Sequence, residues 1–104
     1  LPVTVADRIV LLTTKEIIAL EVLGNDLTIY TMQETYYTKG VLKKILKRLP
    51  DDFIQVSKNS AINLNHLQSM EAAFSGSMTA FLTKKIKISV SRNYLPQLKA
   101  ALGM

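Results

Sequence analysis

The apolar runs of this chain are short, and most of them end at a turn former, which restricts the fold to small strands joined by tight turns. The cleanest run is residues 85–90 (KIKISV), where Ile86, Ile88 and Val90 share one face and Lys85, Lys87 and Ser89 point to solvent. Residues 15–22 (KEIIALEV) are read as a strand because the turn cluster Gly24, Asn25 and Asp26 follows and LTIYT resumes beyond it. Their apolar positions, Ile17, Ile18, Leu20 and Val22, fit neither the strand nor the helix period cleanly. Residues 3–13 are apolar and β-branched, and residues 33–38 form a further strand with Tyr36 and Tyr37 on opposite faces. Segments 53–57, 61–63, 67–74 and 78–83 complete the strand series, with Ser75, Gly76 and Ser77 as a turn.

Two helices interrupt this pattern. In residues 40–49, Val41, Leu42, Ile45, Leu46 and Leu49 recur at helical spacing, with Thr38 as the expected N-cap and Pro50 as the stop. Lys43, Lys44, Lys47 and Arg48 fill the opposite face, where they either ride on phosphate or solvate the helix and suit its dipole. Asp51 and Asp52 form the turn out of it. A second helix starts at about Tyr94, because Pro96 is tolerated only in a first turn; Leu95, Leu98 and Leu102 make its apolar stripe, and Gly103 follows its end.

A chain of 104 residues fits one domain spanning 1–104. Its opening on Leu1 suggests a domain cut from something longer. The longest apolar stretches fall short of the roughly 18 residues that span a bilayer, and no secretory leader pattern is present. The absence of cysteine excludes disulfides and thiol chemistry and is compatible with a cytoplasmic location. The net charge of +5 is uneven: all eight acids lie in residues 1–71, whereas residues 72–104 carry Lys84, Lys85, Lys87, Arg92 and Lys99 alone. Such asymmetry either attracts a polyanion or forms a solvated basic face.

Catalytic patterns are absent. His66 is the lone histidine, and Glu71, Asp51 and Asp52 show no ligand spacing to it. No nucleophile elbow surrounds Ser57, Ser60, Ser89 or Ser91, and the glycines are scattered singly, so no phosphate loop is expected. Neither a cofactor nor a metal is implied. Two polar patches stand out instead. In FIQVSKNSAINLNHL a strand rhythm is broken by Ser57, Lys58, Asn59 and Ser60, and SVSRN (residues 89–93) follows the last alternating run. Both can donate and accept hydrogen bonds without offering an acid or a nucleophile pair, which suits recognition of something polar and anionic.

Taken in order, IIALEVLGNDLTIYT, VLKKILKRLP, FIQVSKNSAINLNHLQSM and IKISVSRNYLPQLKAAL resemble the LytTR family of bacterial DNA-binding domains over almost the whole chain. Phe53, Lys58, Asn63, Val90, Ser91 and Arg92 stand at that family's signature positions. The resemblance implies a mainly β domain of about ten short strands in small antiparallel sheets, with one well-formed helix at 40–49 and a short C-terminal helix. It also implies a non-enzymatic output domain of a response regulator, with an N-terminal regulatory domain. Such domains bind double-stranded DNA at tandem direct repeats in promoters, a second copy lying head to tail, with no membrane involved. Three places would supply major-groove contacts: the turn at Gly24 to Asp26, the patch around Lys58, and the segment at Arg92.

The expected DNA-binding residues are therefore Lys58, Arg92, Asn59, Asn25, Ser57 and Asn93, with Lys84, Lys85 and Lys87 as phosphate anchors or general field. Asn59 replaces the family's usual serine, and Asp26 stands where an aromatic or basic residue is common. A carboxylate there is repelled by phosphate unless it accepts from a cytosine amine. The rival readings are a module for another polyanion, RNA or an acidic membrane, or for an acidic protein. Against RNA, the chain has no Trp, and its Phe and Tyr residues do not cluster in sequence beside Lys58 or Arg92.

Overall fold

The computed structural model describes residues 1–104. Its elements run β1 (Pro2–Val5), β2 (Arg8–Leu11), β3 (Ile17–Leu23), β4 (Asp26–Thr31), β5 (Thr35–Lys39), α1 (Leu42–Leu46), β6 (Phe53–Ser57), β7 (Ser60–Asn63), β8 (Leu67–Ala72), β9 (Met78–Leu82), β10 (Ile86–Val90) and α2 (Leu95–Ala101). All strand pairs are antiparallel. A five-stranded sheet in the order β5-β4-β3-β7-β6 forms the middle layer. The β1-β2 hairpin and α1 cover one of its faces; the three-stranded sheet β10-β9-β8 and α2 cover the other.

Two cores result, one on each side of the central sheet. Val3, Leu12, Leu42, Ile45 and Leu49 pack onto Ile17, Leu20, Leu27, Ile29, Phe53 and Ala61. On the far side Ala80, Leu82, Ile88, Val90 and Leu98 pack onto Ile18, Ala19, Val56 and Ile62. Strand β3 feeds both, and its register shifts between Ile17 and Ala19. That bulge sends Ile17 to one core and both Ile18 and Ala19 to the other, which is why its apolar positions match no simple period. Asn63, 1% exposed, ties this point down. Its Nδ2 donates to the Ile17 carbonyl at 2.9 Å, and its Oδ1 accepts from the Asn65 N–H at 3.0 Å. The signature asparagine is thus a structural clasp.

The strand series expected from the sequence is present, with several corrected boundaries. The apolar, β-branched residues 3–13 hold a hairpin whose turn puts Ala6 at φ +55°, a conformation its side chain does not advertise. The first helix covers only Leu42–Leu46; Arg48 and Leu49 close tighter three-residue turns onto Ile45 and Leu46. Thr38 is not its N-cap. It lies in β5 and donates its hydroxyl to the Thr4 carbonyl, while Val41 occupies the cap position and is 48% exposed. Gly40 holds the chain extended there: its N–H donates to the Asn25 carbonyl at 2.9 Å, and a Cβ would sit 3.1 Å from Leu27 Cδ2. Strand β8 ends at Ala72, short of Phe74, and Lys85 lies in the β9–β10 turn rather than in β10. In α2 only Leu98 is fully buried, and Leu102 is largely outside the core.

Candidate nucleic-acid interface

The polar turns singled out in the sequence emerge at one end of the molecule. Gly24 and Asn25 join β3 to β4, and Gly24 takes the positive φ, +63°, that the turn requires. Lys58 and Asn59 join β6 to β7. Because β3 and β7 are antiparallel neighbours with Glu21 opposite Ser60, both turns point the same way, and the Val22 N–H donates to the Asn59 carbonyl at 2.8 Å. The third segment leaves β10 at Ser91, whose N–H donates to the Val56 carbonyl at 2.9 Å. That bond sets Arg92 and Asn93 beside the end of β6.

Local hydrogen bonds hold the Lys58 turn rigid. Gln55 Nε2 donates to the carbonyls of Ser57 at 3.0 Å and Lys58 at 3.3 Å, and Gln97 Nε2 on α2 donates to the Gln55 carbonyl at 2.8 Å. Ser57 Oγ accepts from the Asn59 N–H at 3.3 Å, so this serine shapes the turn. The side chains of Asn25, Lys58, Asn59, Arg92 and Asn93 are exposed and make no hydrogen bond or ion pair within the protein. Their donors and acceptors are free for a ligand. Arg92 is braced as well: its stem lies against Gly76 in the β8–β9 turn, where a Cβ would be 2.9 Å from Arg92 Cδ.

Half of the carboxylates lie away from this end or are paired there, while Glu71, exposed one residue before the end of β8, stands unpaired near it. Four of the eight acids, Glu16, Glu34, Asp51 and Asp52, lie at the opposite end, before β3, between β4 and β5, and before β6. Asp26 is the first residue of β4 rather than part of the turn, and it forms an ion pair with Lys39 across the ladder. Both partners are exposed, so the pair adds little stability, but it occupies the carboxylate that would repel phosphate. Glu21 accepts the Tyr30 hydroxyl at 2.5 Å. Burial, reinforced by that carboxylate, pushes the Tyr30 phenol up to about 12.

The cations expected as phosphate anchors are set apart from these turns. Lys84 and Lys85 occupy the β9–β10 turn, at the opposite end of the three-stranded sheet from Arg92, with φ of +63° and +62°. Lys87 lies exposed along β10 with its Nζ 5.6 Å from the Phe81 ring centroid, a cation–π contact. His66 is a strut: Nε2 stands 2.7 Å from the Lys15 carbonyl, which can only accept, so Nε2 carries the proton and Nδ1 faces Thr83 Oγ1 at 3.0 Å. Sequence reasoning missed Gln55, Gln97, Lys39 and Gly76, which position or neutralise the edge; none carries a local signal, because each acts on a residue distant in sequence or on backbone.

Fold and edge define a class: a small layered β domain that presents a row of turns with free cations and amides. Comparison with known proteins gives the class its family. The sequence model of the LytTr DNA-binding domain matches residues 7–103. The chain is similar to the sensory transduction protein LytR of Staphylococcus epidermidis, 35% identical over all of this chain and 42% of that protein. It is 30% identical to the transcriptional regulatory protein LytR of Staphylococcus aureus and to the sensory transduction protein LytT of Enterococcus faecalis, covering 43% of each. The fold matches a LytTr DNA-binding domain from a Bacillus cereus response regulator, with TM-score 0.88 at 18% identity, over 100% of this chain and 96% of that one. The chain belongs to the LytTr DNA-binding domain family. It spans less than half the length of the curated relatives it matches.

Proposed function

We propose that this chain reads double-stranded DNA sequence-specifically, inserting the turns at Asn25, Lys58–Asn59 and Arg92–Asn93 into the major groove as the output domain of a longer transcriptional regulator. The observation that carries the reading is the convergence of these turns, from three separated stretches of sequence, on one end with their polar groups unpaired. Arg92 presents a planar fork that matches guanine O6 and N7. Lys58 takes a base edge or a phosphate, and Asn59 and Asn25 can pair with adenine or with the backbone. Lys84, Lys85 and Lys87, away from this end, act through the long-range field that speeds encounter.

In this reading two copies bind head to tail at promoter direct repeats, in the cytoplasm and without catalysis or a cofactor. The LytR relatives named as transcriptional regulators support that context. Selection of duplexes from a random DNA pool, run at two salt concentrations, tests the reading. It should enrich one motif, present as a direct repeat when two domains bind. Enrichment of no motif, or equal binding to RNA, overturns it.

A further inference from the structure

Beside Arg92 lies a turn that the reading above does not use. The β8–β9 connection, AAFSGS over residues 72–77, has no charged residue, and none follows until Lys84. Ser75 and Gly76 take φ of +57° and +81°, and the Ser77 N–H and hydroxyl both donate to the Phe74 carbonyl, at 3.0 and 2.7 Å. This tight turn leaves Phe74 92% exposed, the most exposed of the large apolar side chains. Ala72 pairs with Met78 and Met78 with Val90, so the turn emerges at the same end as Arg92, and Gly76 touches the Arg92 stem. A ring held out on a rigid uncharged turn, next to an arginine fork, is suited to an apolar feature adjoining a guanine edge. In the major groove that feature is the C5-methyl group of thymine.

We infer that the β8–β9 turn is a fourth recognition element, in which Phe74 contacts a thymine methyl at a base pair next to the one Arg92 reads, resting on the assignment of this end to the DNA major groove. The turn adds specificity without charge, because an uncharged segment neither gains nor loses phosphate attraction. Gly76 links the two: a Cβ there would lie 2.9 Å from Arg92 Cδ, so the turn that carries Phe74 packs against the Arg92 stem.

The experiment uses the duplex enriched from the random pool, with each thymine replaced in turn by deoxyuridine, which lacks only the methyl. The wild-type domain should lose about fourfold in affinity at one position adjacent to the Arg92-dependent guanine, the equivalent of one buried methyl. Phe74→Ala should bind the unmodified duplex about fourfold or more weakly and show no further loss with deoxyuridine at that position. Its salt slope should equal that of the wild type, and its melting temperature should be unchanged because the side chain is exposed. Deoxyuridine sensitivity at no position, or sensitivity that survives Phe74→Ala, overturns the inference while leaving DNA binding intact. A Phe74→Ala loss accompanied by reduced DNA bending would make Phe74 a wedge between base steps and also overturn it. Absence of binding to any duplex defeats the major-groove assignment itself, and this inference with it.

Discussion

Replacing Arg92 separates the two things an exposed arginine can do on DNA. Its guanidinium has no partner in the protein, and only its stem is braced, on Gly76, so Arg92→Ala should change folding stability by no more than about 0.5 kcal/mol. Loss of a bidentate guanine contact, by contrast, removes about 1–3 kcal/mol of discrimination, roughly 5- to 150-fold in affinity for the correct base pair. Arg92→Lys keeps the charge and loses the fork. Fluorescence anisotropy on the selected duplex and on its single-base variants, for all three proteins, gives the comparison. Both substitutions should relax preference at one position, and Arg92→Lys should keep the wild-type salt slope. Equal weakening on every variant by Arg92→Ala, with Arg92→Lys indistinguishable from wild type, would refute base reading and make Arg92 a phosphate contact.

Other outcomes follow from the same geometry. If Lys58 neutralises a phosphate, Lys58→Ala should reduce the slope of log K against log salt by about one, and an unchanged slope assigns it to a base edge. Asn63→Ala removes one buried and one half-buried hydrogen bond and leaves the Ile17 carbonyl without its Asn63 donor, which should cost about 2–3 kcal/mol in urea unfolding; a cost under about 0.5 kcal/mol would contradict the clasp. Tyr30, with its phenol raised to about 12, binds its proton more tightly folded than unfolded. The stability this confers is full below about pH 10, the unfolded value, and is lost as pH rises towards 12. Spectrophotometric titration should therefore show one of the four tyrosines ionising late, and Glu21→Gln should bring it earlier.

The layered β architecture was legible because short runs and turn formers carry local information. Residues 85–90 announce β10 by strict alternation, and Gly24–Asn25 announces the β3–β4 hairpin. What was not legible depends on partners distant in sequence. The bulge in β3 is dictated by two cores that claim Ile17 and Ile18 separately, so its pattern looked ambiguous. The helix at 42–46 is cut short because β5 claims Thr38 and the β3–β4 turn claims Gly40. The basic C-terminal third read as one patch, but hairpin geometry sends Lys84 and Lys85 to one end and Arg92 to the other. Asp26 looked like a liability because its neutralising partner, Lys39, lies across a strand ladder. Lys58 and Arg92 were visible as residues, but their convergence depends on the antiparallel register of β3 with β7 and on the Ser91 bond to Val56.

Amide chemical-shift mapping during titration with the selected duplex tests most directly whether this one end of the domain meets DNA. The largest shifts should fall on residues 24–25, 58–59 and 91–93. The opposite end, residues 33–34, 51–52 and 83–85, should move little. Largest shifts at 83–85, or along the basic face of residues 43–48, would contradict it.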